Sequence, residues 1–183
     1  MRIPYLPSVR NILPQKVQFV KRRSPASTHK KVVALLHDRS TERGYLNPTG
    51  LGRSDRFDLL TEQGEHRAVP LENVKCLYFV REFTERFEPE RKSFFSRPKL
   101  DGLWVRLKFH DGDTIEGIVA NDLVDLLENG IQITPPDLNG NSLRMFIPTS
   151  SLAEMKVLGV VGASRRAPQT SQSAPTQSKL FSE

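Results

Sequence analysis

The sequence predicts a mainly β chain, arranged as two tandem five-stranded small barrels with disordered basic arms. Three observations carry that expectation. The body of the chain matches itself, its apolar residues alternate with polar ones in short runs, and Gly, Pro and Asp-Gly turns separate those runs at close intervals.

The amino-terminal arm, residues 1–29, comes first. Pro4, Pro7 and Pro14 forbid a long helix there, and they interrupt the amphipathic helix that an organellar transit peptide uses. The alternation around Val17 and Phe19 allows one short strand. Charge is divided unevenly along the chain. Residues 1–31 hold eight Lys and Arg and no acid, residues 32–162 hold sixteen against twenty Asp and Glu, and residues 163–183 hold three against one. The basicity therefore belongs to the arms, and the body they flank is mildly acidic, which argues against an electropositive groove across the folded surface.

The first barrel is placed over residues 30–83 and the second over 102–160. VVALLHDRSTERG (32–44) lies without a gap on VRLKFHDGDTIEG (105–117), bringing His37 onto His110, Asp38 onto Asp111 and Gly44 onto Gly117. AVPLENVKCLYFV (68–80) lies on FIPTSSLAEMKVL (146–158), bringing Pro70 onto Pro148, Val74 onto Leu152 and Phe79 onto Val157. In the second copy the alternation from Trp104 to Phe109, the Asp111-Gly112 turn and the alternation from Thr114 to Ala120 read as a hairpin. Strands over 130–134, 144–148 and 155–160 follow, with 56–61 and 75–80 as their counterparts in the first copy. Five short strands in so few residues cover a core by curling, and a glycine inside each second strand suits the bend.

Residues 84–101 form a charged aromatic connector. Phe79, Phe83 and Phe87 stand at helical spacing, which predicts a clasp laid across both barrels before Pro89. Phe94 and Phe95, with Arg97, are the candidate anchor for a protein partner, since aromatic and Arg side chains dominate binding hot spots. The tail, residues 161–183, is rich in Ser, Gln, Pro and Ala, with too little apolar surface to offset the entropy of ordering.

The apolar strand, the Asp-Gly turn, the glycine of the next strand and the late Phe146-Ile147-Pro148 strand resemble the Sm-like and SH3-like small barrels. More narrowly, VPLENVKCLYFVREF (69–83) is similar to a signature of a widespread uncharacterised bacterial domain, found alone or beside signalling domains. The resemblance implies a bacterial cytoplasmic protein and brings no established activity. The base-reading loops of RNA-binding Sm-like proteins have no counterpart at 122–126 (DLVDL) or 147–151 (IPTSS).

Chemistry is sparse. Cys76 is the only cysteine, so an intramolecular disulfide is impossible, and its apolar neighbours predict a buried thiol. His37-Asp38 and His110-Asp111 sit at hairpin mouths, where Asp accepts turn amides and neighbouring residues point to opposite faces, so neither pair is expected to chelate. Arg39 and Arg43 have the spacing seen in cyclic-dinucleotide receptors, without the partner motif. No phosphate-cradling glycine loop, nucleophile elbow or paired carboxylates are found, so the expectation is a non-enzyme without cofactor or metal. No run approaches the roughly 18 apolar residues of a membrane span. The sequence thus predicts an adaptor of bacterial signalling or regulation that binds another protein, and leaves its oligomeric state open. The alternative is weak nucleic-acid binding through Sm-like barrels and the basic arms, with Lys21, Arg22, Arg23, Lys30 and Lys31 as contacts.

Overall fold

The computed structural model describes residues 28–85, 87, 91–122 and 129–162. Lys21, Arg22 and Arg23, most of the amino-terminal arm, Pro89, most of the 122–126 loop and nearly all of the carboxy-terminal tail lie outside them.

Among these residues ten strands follow in chain order. They are β1 (Lys30–Leu36), β2 (Thr41–Leu46), β3 (Arg56–Thr61), β4 (His66–Pro70), β5 (Val74–Val80), β6 (Gly102–Phe109), β7 (Thr114–Val119), β8 (Gly130–Thr134), β9 (Ser142–Pro148) and β10 (Leu152–Val161). Single 3₁₀ turns, Leu71–Asn73 and Thr149–Ser151, precede β5 and β10. All pairings are antiparallel and join into one open sheet of order β10-β6-β7-β8-β9-β5-β1-β2-β3-β4. The mainly β expectation holds. The ladders form this single open sheet, and closure of either half into a barrel of its own is not seen in them.

The two halves are laid down in the same order, fifth strand beside first, then second, third and fourth. Local details also coincide. Val32 pairs with Gly44 in one half, and Val105 with Gly117 in the other. The β1–β5 register shifts between Leu35 and Leu36, and the β10–β6 register shifts between Leu152 and Glu154. The β1–β2 turn places Arg39 at φ 71, and the β6–β7 turn places Gly112 at φ 87. A Cβ on Gly44 would come 2.4 Å from the Leu60 carbonyl oxygen, and one on Gly117 would come 2.7 Å from Ile133. These glycines are there for close approach of the next strand.

Strand alternation builds two cores. In the first, Val32, Ala34, Phe57, Leu59, Val69, Leu77 and Phe79 are joined by Phe146 of β9. In the second, Val105, Leu107, Phe109, Ile115, Ile133, Met145 and Ile147 are joined by Val33, Cys76, Tyr78 and Val80 of β1 and β5. β5 is therefore buried on both faces, and each half completes the core of the other.

Among the described residues, the connector and the residues leading into it are not helical. Residues 81–85 run as bends and irregular chain, and Phe79 lies inside β5, opposite Val32. Its side chain is aimed by strand alternation, and the helical spacing of Phe79, Phe83 and Phe87 has no structural meaning.

Candidate functional site

The connector is fixed to the second half by a buried carboxylate. Arg106 of β6 lies directly opposite Glu116 of β7, which puts both on one face, and Trp104 stands two residues along that face. Glu116 accepts from Arg106 Nη2 at 2.8 Å and Nε at 3.2 Å, from Trp104 Nε1 at 3.2 Å, and from the Phe94 backbone N–H at 3.2 Å. Its own N–H donates to the Lys92 carbonyl at 2.7 Å. Burial opposes the charge on Glu116, but the Arg106, Phe94 and Trp104 hydrogen bonds outweigh it and hold the carboxyl below its ordinary range.

This anchorage decides the fate of the aromatic pair. Phe94 turns inward, half-buried and edge-on to Trp104 at 6.2 Å. Phe95 turns outward and is 87% exposed, its ring under the Arg91 guanidinium at 4.0 Å. Arg97 Nη2 donates to the Val160 carbonyl at 2.7 Å, tying the strap to β10. The anchor predicted at Phe94, Phe95 and Arg97 thus resolves into one exposed aromatic held between two structural contacts. Upstream, Phe83 meets Tyr45 edge-on at 5.6 Å and Phe87 meets Tyr78 at 4.6 Å.

A cleft of about 380 Å³ opens beside the strap, between the β1–β2 and β6–β7 turns. Lys75 of β5 reaches across it to Asp111 and, at 2.7 Å, to Asp113, while Lys92 of the strap bonds Asp113 at 3.0 Å. Lys75 also lies over the Phe109 ring at 4.9 Å. Burial works against its charge, the two aspartates outweigh that, and its pKa is raised. Those bonds hold Asp111 and Asp113 below the usual carboxylate range. Lys75 of the first half and Lys92 of the strap are thus paired with Asp111 and Asp113 of the second half, and Arg39 lines the same cleft.

The His-Asp pairs do not converge. Asp38 accepts from the Ser40 N–H and hydroxyl, and Asp111 from the Asp113 N–H, as turn carboxylates do. His37 Nε2 lies 3.4 Å from Ser151 Oγ, whose hydroxyl donates to the Val74 carbonyl at 2.7 Å. Among the described residues, no three His, Cys, Asp or Glu side chains gather as a metal site requires. Cys76 is buried, which pushes its thiol pKa up despite a hydrogen bond with Tyr78. Arg43 donates to the Glu85 carbonyl at 2.7 Å, and Arg39 occupies the turn, so the two do not form a clamp. Lys31 is engaged with Glu82 and the Arg81 carbonyl, whereas its neighbour Lys30 is exposed at the start of β1. No helix among the described residues is long and apolar enough to cross a membrane.

Sequence reasoning missed Glu116, Arg91, Lys92 and Asp113. For Glu116 a signal existed, because hairpin register places Trp104, Arg106 and Glu116 on one face. Lys92 and Arg91 carried none, since their positions depend on where the strap docks.

A family model described as "Family of unknown function (DUF6982)" matches residues 28–159. No curated protein and no solved structure matches the chain.

Proposed function

Because the chain belongs to this family of unknown function, we propose from its own geometry that it is a non-enzymatic adaptor of the bacterial cytoplasm, two small barrel-like halves presenting Phe95 to a protein partner. The observation that carries this reading is the contrast between Phe95 and its surroundings. Its ring is the most exposed large apolar group among the described residues, yet the strap on either side is held by Glu116 and Val160. A side chain presented from a fixed backbone loses little conformational entropy on binding, and an aromatic ring stacked with Arg is the typical content of a hot spot. The test is affinity capture from a bacterial lysate with the full chain and with Phe95→Ala. We expect one defined partner to be captured by the former and lost with the variant while the melting temperature stays within a degree. Capture that survives Phe95→Ala, or that requires only the basic residues 1–31 and vanishes with moderate salt, overturns the reading in favour of another surface or of nucleic acid.

A further inference from the structure

The two strands at the ends of the sheet are of the same kinds as the two joined at its centre. At the centre, β9, the fourth strand of the second half, pairs with β5, the fifth strand of the first half, with Leu77 opposite Phe146, Tyr78 opposite Met145 and Phe79 opposite Arg144. Among the described residues the free edges are β4, the fourth strand of the first half, and β10, the fifth strand of the second.

The apolar residues of β10 are arranged as if a neighbour were present. Met155 lies opposite core Leu107, and Val157 opposite core Val105, so their side chains continue the second core's own face onto the edge strand. There they are 41% and 51% exposed. Their counterparts in β5, Leu77 and Phe79, are 0% and 7% exposed, because β9 and its Phe146 cover them.

The backbone is prepared in the same way at both edges. On β4, Leu71 N–H donates to the Asp55 carbonyl at 2.8 Å, and Thr61 N–H donates to the Glu65 carbonyl at 2.8 Å. Alternation between these bonds turns the amides of His66 and Ala68 away from β3. On β10, His110 N–H donates to the Ser151 carbonyl, and the bulge before Glu154 leaves the amides of Met155 and Val157 facing away from β6. Arg97 caps the outward end of this edge at the Val160 carbonyl.

We infer that this chain self-associates head to tail, the β10 edge of one copy pairing antiparallel with the β4 edge of the next in the register of the internal β5–β9 junction. In that register Met155 faces Ala68, Lys156 faces Arg67 and Val157 faces His66. Such an interface is heterologous, so it extends beyond a dimer into a closed ring or an open chain. It is smaller and more polar than the internal junction, since Ala68 stands where β9 has Phe146, and Glu154 and Lys156 stand where β5 has Cys76 and Tyr78. The like charges of Lys156 and Arg67 are each already paired, with Glu154 at 3.5 Å and with Glu42 at 3.0 Å. The association is therefore reversible and concentration-dependent.

Two variants test it, each blocking one edge. Ala68→Pro removes an outward amide and leaves the β3–β4 ladder its bonds, and Val157→Lys places a charge on the exposed strip of β10. Sedimentation velocity of the full chain over a concentration series is expected to show mass growing past the dimer, and either variant alone to stay monomeric with an unchanged melt. Mixing the two variants supplies one intact edge of each kind and is expected to give a species of twice the monomer mass. A wild-type chain monomeric throughout the series overturns the inference, as does either folded variant that still oligomerises alone, or a mixture that stays monomeric. Should Ala68→Pro fail to fold, His66→Pro blocks the same edge and takes its place in the mixture.

Discussion

Glu116 carries more of the site than any other single residue, because four hydrogen-bond donors end on one buried carboxylate. Truncating it leaves the Trp104 and Phe94 N–H groups without their acceptor, and Glu116→Ala is expected to lose about 2–3 kcal/mol of stability in chemical denaturation. Its pH dependence has a fixed sign. A carboxyl held below its ordinary pKa contributes stability that is complete above the unfolded value, about 4.3, and is lost as pH falls through the folded one. Asp111 and Asp113 act in the same direction. The wild-type chain should therefore lose melting temperature steeply below about pH 4. Glu116→Gln, which has no such proton to take up, should show a shallower acid limb, and superimposable limbs would exclude the assigned role.

At the scale of elements the connector matters most, since its described residues form no ladder of their own and are held by ring contacts and by the bonds of Lys92 and Phe94 backbone groups to Glu116. Phe83, the residue just before it, packs on Tyr45, and Phe94 within it packs on Trp104. Phe83 is half-buried, so Phe83→Ala forfeits part of a ring's burial and one edge-to-face contact, about 2 kcal/mol, seen as a melting point lower by about 6 °C. An unchanged melt would mean that Phe83 does not fasten the strap. The same substitution at Phe95 removes no buried surface, which separates fastening from presentation along one short segment.

Over the whole molecule the two cores are shared. The second core takes Val33, Cys76, Tyr78 and Val80 from the first half, and the first takes Phe146 from the second. Residues 28–100 or 101–162 alone would leave those groups in water, so neither fragment should unfold cooperatively, and each should bind a hydrophobic dye that the full chain ignores. A cooperative melt from either fragment alone would show that the halves are independent.

The sequence by itself placed most of the strands to within a few residues, because period-2 alternation, Asp-Gly turns and strand-breaking Pro and Gly are local signals. The hairpin of β6 and β7 and the glycines at 44 and 117 stand where those signals put them. It also determined that Cys76 is buried and that the His-Asp pairs belong to turns. Tertiary structure decided what the strands join. Whether a five-stranded unit closes on itself or hands its edge to a neighbour depends on strand pairing at long range, and the apolar pattern of β5 is satisfied by either. It also decided which phenylalanine is exposed. Phe94 and Phe95 are adjacent and chemically identical, and only the docking of the strap on Glu116, through backbone groups that carry no sequence signature, turns one toward Trp104 and leaves the other in water.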